Sequence, residues 1–153
     1  MSAVLKIKYQ FRPMQMDDLE SIMAIEPQIY PYPWTRGNFS DSLNSGYSAW
    51  VMVLNEQIIG YSLMMLVLDE AHLLNLSVAK SYQKQGLGRT LLEHMVSIAR
   101  KSQMANMFLE VRPSNISAIV LYENMGFNEM AVRRKYYPAA NGREDAVLMG
   151  LAL

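Results

Sequence analysis

Leu73-Leu74-Asn75-Leu76-Ser77-Val78, followed closely by Gln83-Lys84-Gln85-Gly86-Leu87-Gly88-Arg89, is the stretch that decides the fold. The first run is apolar and strand-like. The second is a basic loop with two glycines. Beyond it Leu87, Leu91, Leu92, Met95 and Ile98 recur at helical spacing. Strand, glycine loop and helix N-terminus together make an anion site. Glycine lets the backbone approach a ligand closely, and unpaired N–H groups with the helix dipole favour a phosphate there. Two other nucleotide patterns fail. A Walker loop needs a Lys-Ser/Thr pair after its second glycine. A Rossmann loop needs a third glycine where Leu91 stands.

Working outward, the spacing predicts a strand over Leu5–Arg12 and a helix over Asp17–Ile29, with Pro27 weakening its last turn. Thr35 is placed to cap a short helix through Leu43. Tyr47–Leu54 and Gln57–Leu68 read as strands joined by an Asn55-Glu56 turn, and Ala71–Val78 as another. After the glycine loop come a helix to about Ser102 and a strand over Met107–Val111. Ser114 or Asn115 can cap a helix to Met125 that Gly126 stops. Asn128–Tyr137 and Ala146–Leu151 read as the last strands, around a polar loop at Ala139–Glu144. The expected class is α/β: a mixed, mostly antiparallel sheet flanked by helices, in one domain over residues 1–153.

Composition narrows the function. Of 153 residues 51% are hydrophobic and 18% charged, which is globular rather than disordered. Fourteen basic and fourteen acidic side chains cancel, which argues against a dedicated nucleic-acid binder. There is no cysteine, hence no disulfide, thiolate metal site or cysteine nucleophile. Two histidines, His72 and His94, are too few for a histidine-built metal centre, so no metal is expected. The apolar run Ile58–Leu68 falls short of the roughly 20 residues that cross a bilayer. The alternating N-terminus looks like a strand rather than a signal peptide. A soluble, cytoplasmic protein without a membrane partner is therefore expected.

The glycine loop resembles the Q/R-x-x-G-x-G/A signature of the GNAT superfamily, which moves acetyl from acetyl-CoA to amines. The resemblance widens through Phe108-Leu109-Glu110-Val111-Arg112, Ser114-Asn115 and Leu121-Tyr122-Glu123-Asn124-Met125-Gly126-Phe127. It sharpens at Tyr32-Pro33-Trp34-Thr35, Leu68-Asp69-Glu70-Ala71, Arg133-Arg134-Lys135-Tyr136-Tyr137-Pro138 and Gly142-Arg143-Glu144-Asp145-Ala146. Those motifs look like the RimI-type branch, whose enzymes acetylate the N-terminal alanine of a small-subunit ribosomal protein. The resemblance implies Glu110 as general base and Tyr122 as general acid. It implies that Leu76, Ser77, Val78, Lys84, Gln85, Gly86, Leu87, Gly88, Arg89 and Asn115 hold acetyl-CoA. It places Trp34, Tyr136 and Tyr137 near the acceptor, the N-terminus of that ribosomal protein. Two departures touch the CoA side: Ser77 stands where alanine is common, and Ala79-Lys80 where Asp-Pro is common.

The chemistry suits those residue types. An α-amine with a pKa near ~7.8 is largely protonated at neutral pH and cannot attack a thioester. A carboxylate can take that proton directly or through one water, and a phenol can protonate the departing thiolate. Plainer roles stay open. Glu110 could be an ion-pair partner of Arg112 or Arg133, Tyr122 could be core, and Asn115 could be only a helix cap. Lys84 and Arg89 could be ordinary surface charges. Trp34 could line a groove or close the core. Two rival functions also remain, a GNAT enzyme for lysines or small free amines and a non-catalytic acyl-CoA sensor. A sensor needs neither Glu110 nor Tyr122.

Overall fold

The structure is a computed structural model that describes residues 9–153. The part of the first expected strand before Tyr9 lies outside the described residues. The elements run β1 (Gln10–Pro13), α1 (Leu19–Ile29), α2 (Arg36–Asn44), β2 (Ser48–Leu54), β3 (Gln57–Val67), β4 (Glu70–Val78), α3 (Leu87–Lys101), β5 (Asn106–Val111), α4 (Ile116–Asn124), β6 (Asn128–Ala139) and β7 (Gly142–Ala152). Short 3₁₀ turns precede α1 and α3. The strands form one sheet in the order β1-β2-β3-β4-β5-β7-β6.

Local chemistry accounts for most boundaries. Asn55 and Glu56 both take positive φ (50° and 65°), so the chain reverses tightly between β2 and β3. Thr35 accepts the Asn38 amide while the Asn38 side chain accepts the Thr35 amide, which seals the start of α2. Gly126, at φ +101°, ends α4 where a Cβ would be strained. One expectation needs correction. Ala139–Glu144 is not a polar loop, because Ala139 pairs with Gly142 and Tyr137 with Glu144. Backbone pairing carries β6 and β7 past the apolar residues that marked their ends in the sequence.

Strand alternation sends side chains to three buried clusters, one of which gathers Met52, Ile59 and Val78 with Leu87 and Leu91 of α3. Val51, Tyr61 and Leu63 face α1 and α2, with Leu19, Ile22 and Phe39. Met64, Leu73 and Leu109 pack under α3 and α4 with Leu92, Met95 and Tyr122. Burying each large apolar side chain contributes roughly 1.5–3 kcal/mol, so the apolar stripe of α3 anchors the glycine loop at its head.

The β4–β5 pair is parallel, and the ladder joining it stops early. It runs from Glu70↔Asn106 to Leu73↔Leu109, although β4 continues to Val78 and β5 to Val111. The β3–β4 register shifts at the same level, from Leu63↔Asn75 to Met64↔Leu73, leaving Leu74 as an extra residue. Such a bulge bends its strand. Beyond Leu74 the two strands part, and a gap opens between them.

Candidate active site

The gap carries backbone donors. Ala79 N–H bonds the Ile59 carbonyl on β3. Alternation along the strand therefore turns the amides of Val78 and Leu76 the other way, into the gap. Their carbonyls point there too, and both take side-chain donors in place of a β5 partner. The Tyr30 hydroxyl lies 3.0 Å from Leu76 O, and Gln83 Nε2 lies 2.9 Å from Val78 O. What remains is a strand edge whose N–H groups face an open slot, the arrangement that accepts an extended amide or a developing oxyanion.

The glycine loop closes one end of the slot. Gly86 sits at φ +81° as the N-cap of α3, with no side chain capping the helix. The first N–H groups of α3 thus lack intrahelical partners and face the loop. A Cβ at Gly86 would meet nothing within 4 Å, so there is room above the backbone. Lys84 also takes positive φ (63°), and Gln83 to Gly86 are exposed. Leu87 is buried and anchors the loop in the core. Gly88 lies closer to α4, where an added Cβ would touch Leu121 at an ordinary 3.5 Å. Arg89 pairs with Glu93 at 3.0 Å; both are exposed, so the pair is weak and the guanidinium remains free to turn to an anion. These features fit a diphosphate-bearing co-substrate.

Glu110 sits one residue past the last position at which β5 pairs with β4, where the gap begins. Of its two possible arginine partners it meets Arg133, at 3.3 Å. Arg112 turns away to Glu144 (3.3 Å) and to the Pro138 carbonyl (2.6 Å), held between the rings of Tyr32 and Tyr137. The Arg133 side chain is 60% exposed, which makes that pair weak and easily opened. A cavity of about 220 Å³ lies beside Glu110, lined by Val132, Arg133 and Leu148 among others. Tyr136 and Tyr137 stack edge to face 4.9 Å apart, with Arg133 over the Tyr136 ring. Burial first, then the nearby Glu110 charge, pushes the Tyr137 hydroxyl up to about 12. The structure therefore brings Glu110, Tyr136 and Tyr137 together.

Tyr122 is buried in α4, edge-on to Phe127. Burial, with smaller contributions from Tyr30 and Tyr137, holds its hydroxyl well above the ordinary phenol range. The proton stays on the oxygen at every physiological pH. Asn115 caps α4 through its Oδ1, which accepts the Ala118 amide at 3.3 Å; its Nδ2 is the atom left for a ligand. Trp34 packs on Phe39 with ring centroids 5.0 Å apart and joins the α1–α2 core. Ser77 is buried, and its hydroxyl is spent inside the protein.

Sequence reasoning missed four participants: Tyr30, Glu26, Asn75 and Glu144. Glu26 is 1% exposed and accepts from the Tyr61 hydroxyl, from the Trp34 amide (3.3 Å) and from Asn75 Nδ2 (3.3 Å). Burial raises its carboxyl above the usual range despite those bonds. Glu144 accepts from both the amide and the hydroxyl of Ser114 (2.9 Å each), tying β7 to the loop before α4. The sequence did carry a signal for Glu26 and Asn75: polar residues at core positions of an apolar helix face and an apolar strand, which are costly unless paired.

A parallel strand pair that splays beside an uncapped, glycine-led helix N-terminus defines a class, the acyl-CoA-dependent N-acyltransferases. The chain belongs to the GNAT acetyltransferase family, which it matches over residues 19–127. It therefore takes acetyl-CoA as co-substrate and delivers acetyl to an amine. It is 41% identical over 140 residues to the [Ribosomal protein bS18]-alanine N-acetyltransferase of Escherichia coli K12, covering 92% of this chain and 95% of that one. A putative enzyme of the same name in Bacillus subtilis is 30% identical over 97% of this chain and 99% of its own. The crystal structure of the ribosomal-protein-S18-alanine N-acetyltransferase from Escherichia coli superposes with a TM-score of 0.89 at 39% identity, covering 95% of this chain and 94% of that one. Arabidopsis thaliana NAA60 in complex with acetyl-CoA shares the fold, with a TM-score of 0.84 at 22% identity and coverage of 95% and 100%.

Proposed function

We propose that this chain acetylates the N-terminal alanine of a small-subunit ribosomal protein, and that one N-acetyltransferase domain does so in the cytoplasm. The observation that carries the reading is Glu110, a single carboxylate at the point where β4 and β5 part. The relatives named as bS18-alanine N-acetyltransferases, 41% identical over nearly the whole chain, support the choice of acceptor. Among the described residues no helix is long and apolar enough to cross a membrane.

The roles follow from position. The α3 N-terminus and the Lys84–Arg89 loop hold the diphosphate. The pantetheine arm lies along the free edge of β4, bonded by the amides of Leu76 and Val78 and by Asn115 Nδ2. Glu110 takes the proton from the acceptor's ammonium, directly or through one water. The freed amine attacks the thioester carbon, and the oxyanion forms against the β4 amides. The carbon–sulfur bond then breaks, Tyr122 supplies the proton to the CoA sulfur, and the second proton shed by the attacking nitrogen restores the neutral tyrosine. Burial keeps the proton on the Tyr122 oxygen, so the acid form is the one available when the thiolate leaves. Tyr136, Tyr137 and the Glu110 cavity receive the acceptor's first residues, while Trp34 supports the α1–α2 wall from within. Incubation with labelled acetyl-CoA and a ribosomal extract tests the reading: label is expected on one small-subunit protein, at its N-terminus, and label spread over lysines would refute it.

A further inference from the structure

Ser77 departs from the alanine common in the RimI-type branch, and it sits in a buried chain that the mechanism above does not use. The chain's polarity follows from its acid end. Glu26 Oε1, as the oxygen of an ionised carboxylate, accepts both the Trp34 backbone N–H and an Asn75 donor. The Asn75 amide must therefore present Nδ2 to it, which points Asn75 Oδ1 at Ser77. Ser77 Oγ lies 2.6 Å from that Oδ1 and must donate to it. Ser77 can then only accept from Tyr30, 2.9 Å away. The single Tyr30 proton has two inward acceptors, Ser77 Oγ and Leu76 O at 3.0 Å, and with the Ser77 proton given to Asn75 no donor among the described residues is left for the Tyr30 oxygen.

We propose that the hydroxyl oxygen of Tyr30, its proton committed inward to Leu76 O or Ser77 Oγ, accepts a hydrogen bond from the α-amine of the acceptor and positions it for attack. The inference rests on the N-terminal acceptor reading above and adds a second acceptor for the amine beside Glu110. Tyr30 ends α1 and reaches across the sheet to Leu76, at the mouth of the β4–β5 gap. It also lies near enough to Tyr122 to help keep that hydroxyl protonated. An oxygen with lone pairs only, placed there, suits a group that brings two or three N–H donors and a positive charge.

The test uses the full chain loaded with CoA, so that no turnover occurs. Two probes are compared by calorimetry: a peptide beginning with alanine, and the same peptide with propionyl in place of alanyl, which lacks the amine. The wild type should prefer the amine-bearing peptide. Tyr30→Phe should lose roughly 10-fold or more of that preference, the range for a hydrogen bond to a charged group, with CoA affinity unchanged. Ser77→Ala should keep the preference, because the Tyr30 proton still has Leu76 O. A Tyr30→Phe protein that discriminates like the wild type would overturn the assignment, as would Ser77→Ala losing as much as Tyr30→Phe. Acetylation of the alanine peptide by the wild type is measured alongside. If it proceeds while Tyr30→Phe discriminates normally, only the Tyr30 assignment falls; if it is absent, both readings fall.

Discussion

Replacing Tyr122 with phenylalanine separates chemistry from packing more cleanly than any other change in the site. The ring is 8% exposed and packs edge to face on Phe127, 5.6 Å between centroids. Phenylalanine keeps that ring and its volume. Among the described residues the hydroxyl has no hydrogen-bond partner, and burial is the main cause that raises its pKa. Deleting it therefore leaves no bonded partner stranded, and the stability change should stay within about 1 kcal/mol. For a chain of this size that is a shift in Tm of roughly 2–4 °C. Acetyl-CoA affinity should hardly change, since the proposed phosphate and pantetheine contacts lie on α3, on β4 and at Asn115, and none uses the Tyr122 hydroxyl. Turnover should fall by about 100-fold or more, the usual worth of a positioned general acid. Single-turnover acetylation of an alanine-initiated peptide, with enzyme in excess, isolates the chemical step. A single-turnover rate equal to that of the wild type would refute the general-acid role and leave Tyr122 as packing.

Other perturbations address the remaining parts. Gly86→Val places a β-branched residue at φ +81°, so acetyl-CoA should no longer raise the melting temperature; the wild type should gain about 2.7 kcal/mol at ~100 times the dissociation constant. Glu110→Gln should slow acetylation most at low pH and recover in part as pH rises and the free amine becomes abundant, read from a pH–rate profile. His94 lies stacked on Phe11 at 4.1 Å with a buried, unpartnered Nε2, and burial followed by the Lys101 charge lowers its pKa in the fold. The fold thus prefers neutral imidazole. Its contribution is complete above the ordinary histidine value near ~6.5 and is lost as pH falls through the depressed one. Urea melts from pH 7.5 to 5 should show the decline, and His94→Gln should flatten it. The Arg12–Asp18 pair, whose hydrogen bond depresses the aspartate, keeps its full contribution over that range and loses it only at more acid pH.

Much of this fold was legible because its signals are local. The α3 stripe repeats within its own helix, Asn55-Glu56 and Gly126 announce turns through their conformations, and Thr35 and Asn115 cap helices three residues away. The glycine loop pointed to an anion site for the same reason. What escaped depends on contacts distant in sequence. Tyr30 meets β4 across 46 and 47 positions, and Glu26 reaches Asn75 across 49. No periodicity encodes those partners. The splay itself left no mark in the residues, since the bulge at Leu74 is a matter of register between strands rather than composition. The extended β6–β7 ribbon was missed because backbone pairing holds it where its side chains are polar and exposed. Glu110 was found as a residue but not as a geometry: only the structure shows its partner to be the exposed Arg133 and not Arg112.

The central claim is that this site acts on an α-amine. A lysine amine with a pKa near ~10.4 is about a thousandth deprotonated at pH 7.5, whereas an α-amine near ~7.8 is about a third deprotonated. One weakly paired carboxylate such as Glu110 is matched to the second. The decisive measurement is mass spectrometry on two peptides of the same sequence, beginning with alanine and carrying downstream lysines, one with a free N-terminus and one blocked. Acetylation of the free peptide at its N-terminus alone, with the blocked peptide nearly inert, is the predicted result. Equal labelling of the blocked peptide would contradict the claim and place the protein among the lysine or small-amine acetyltransferases.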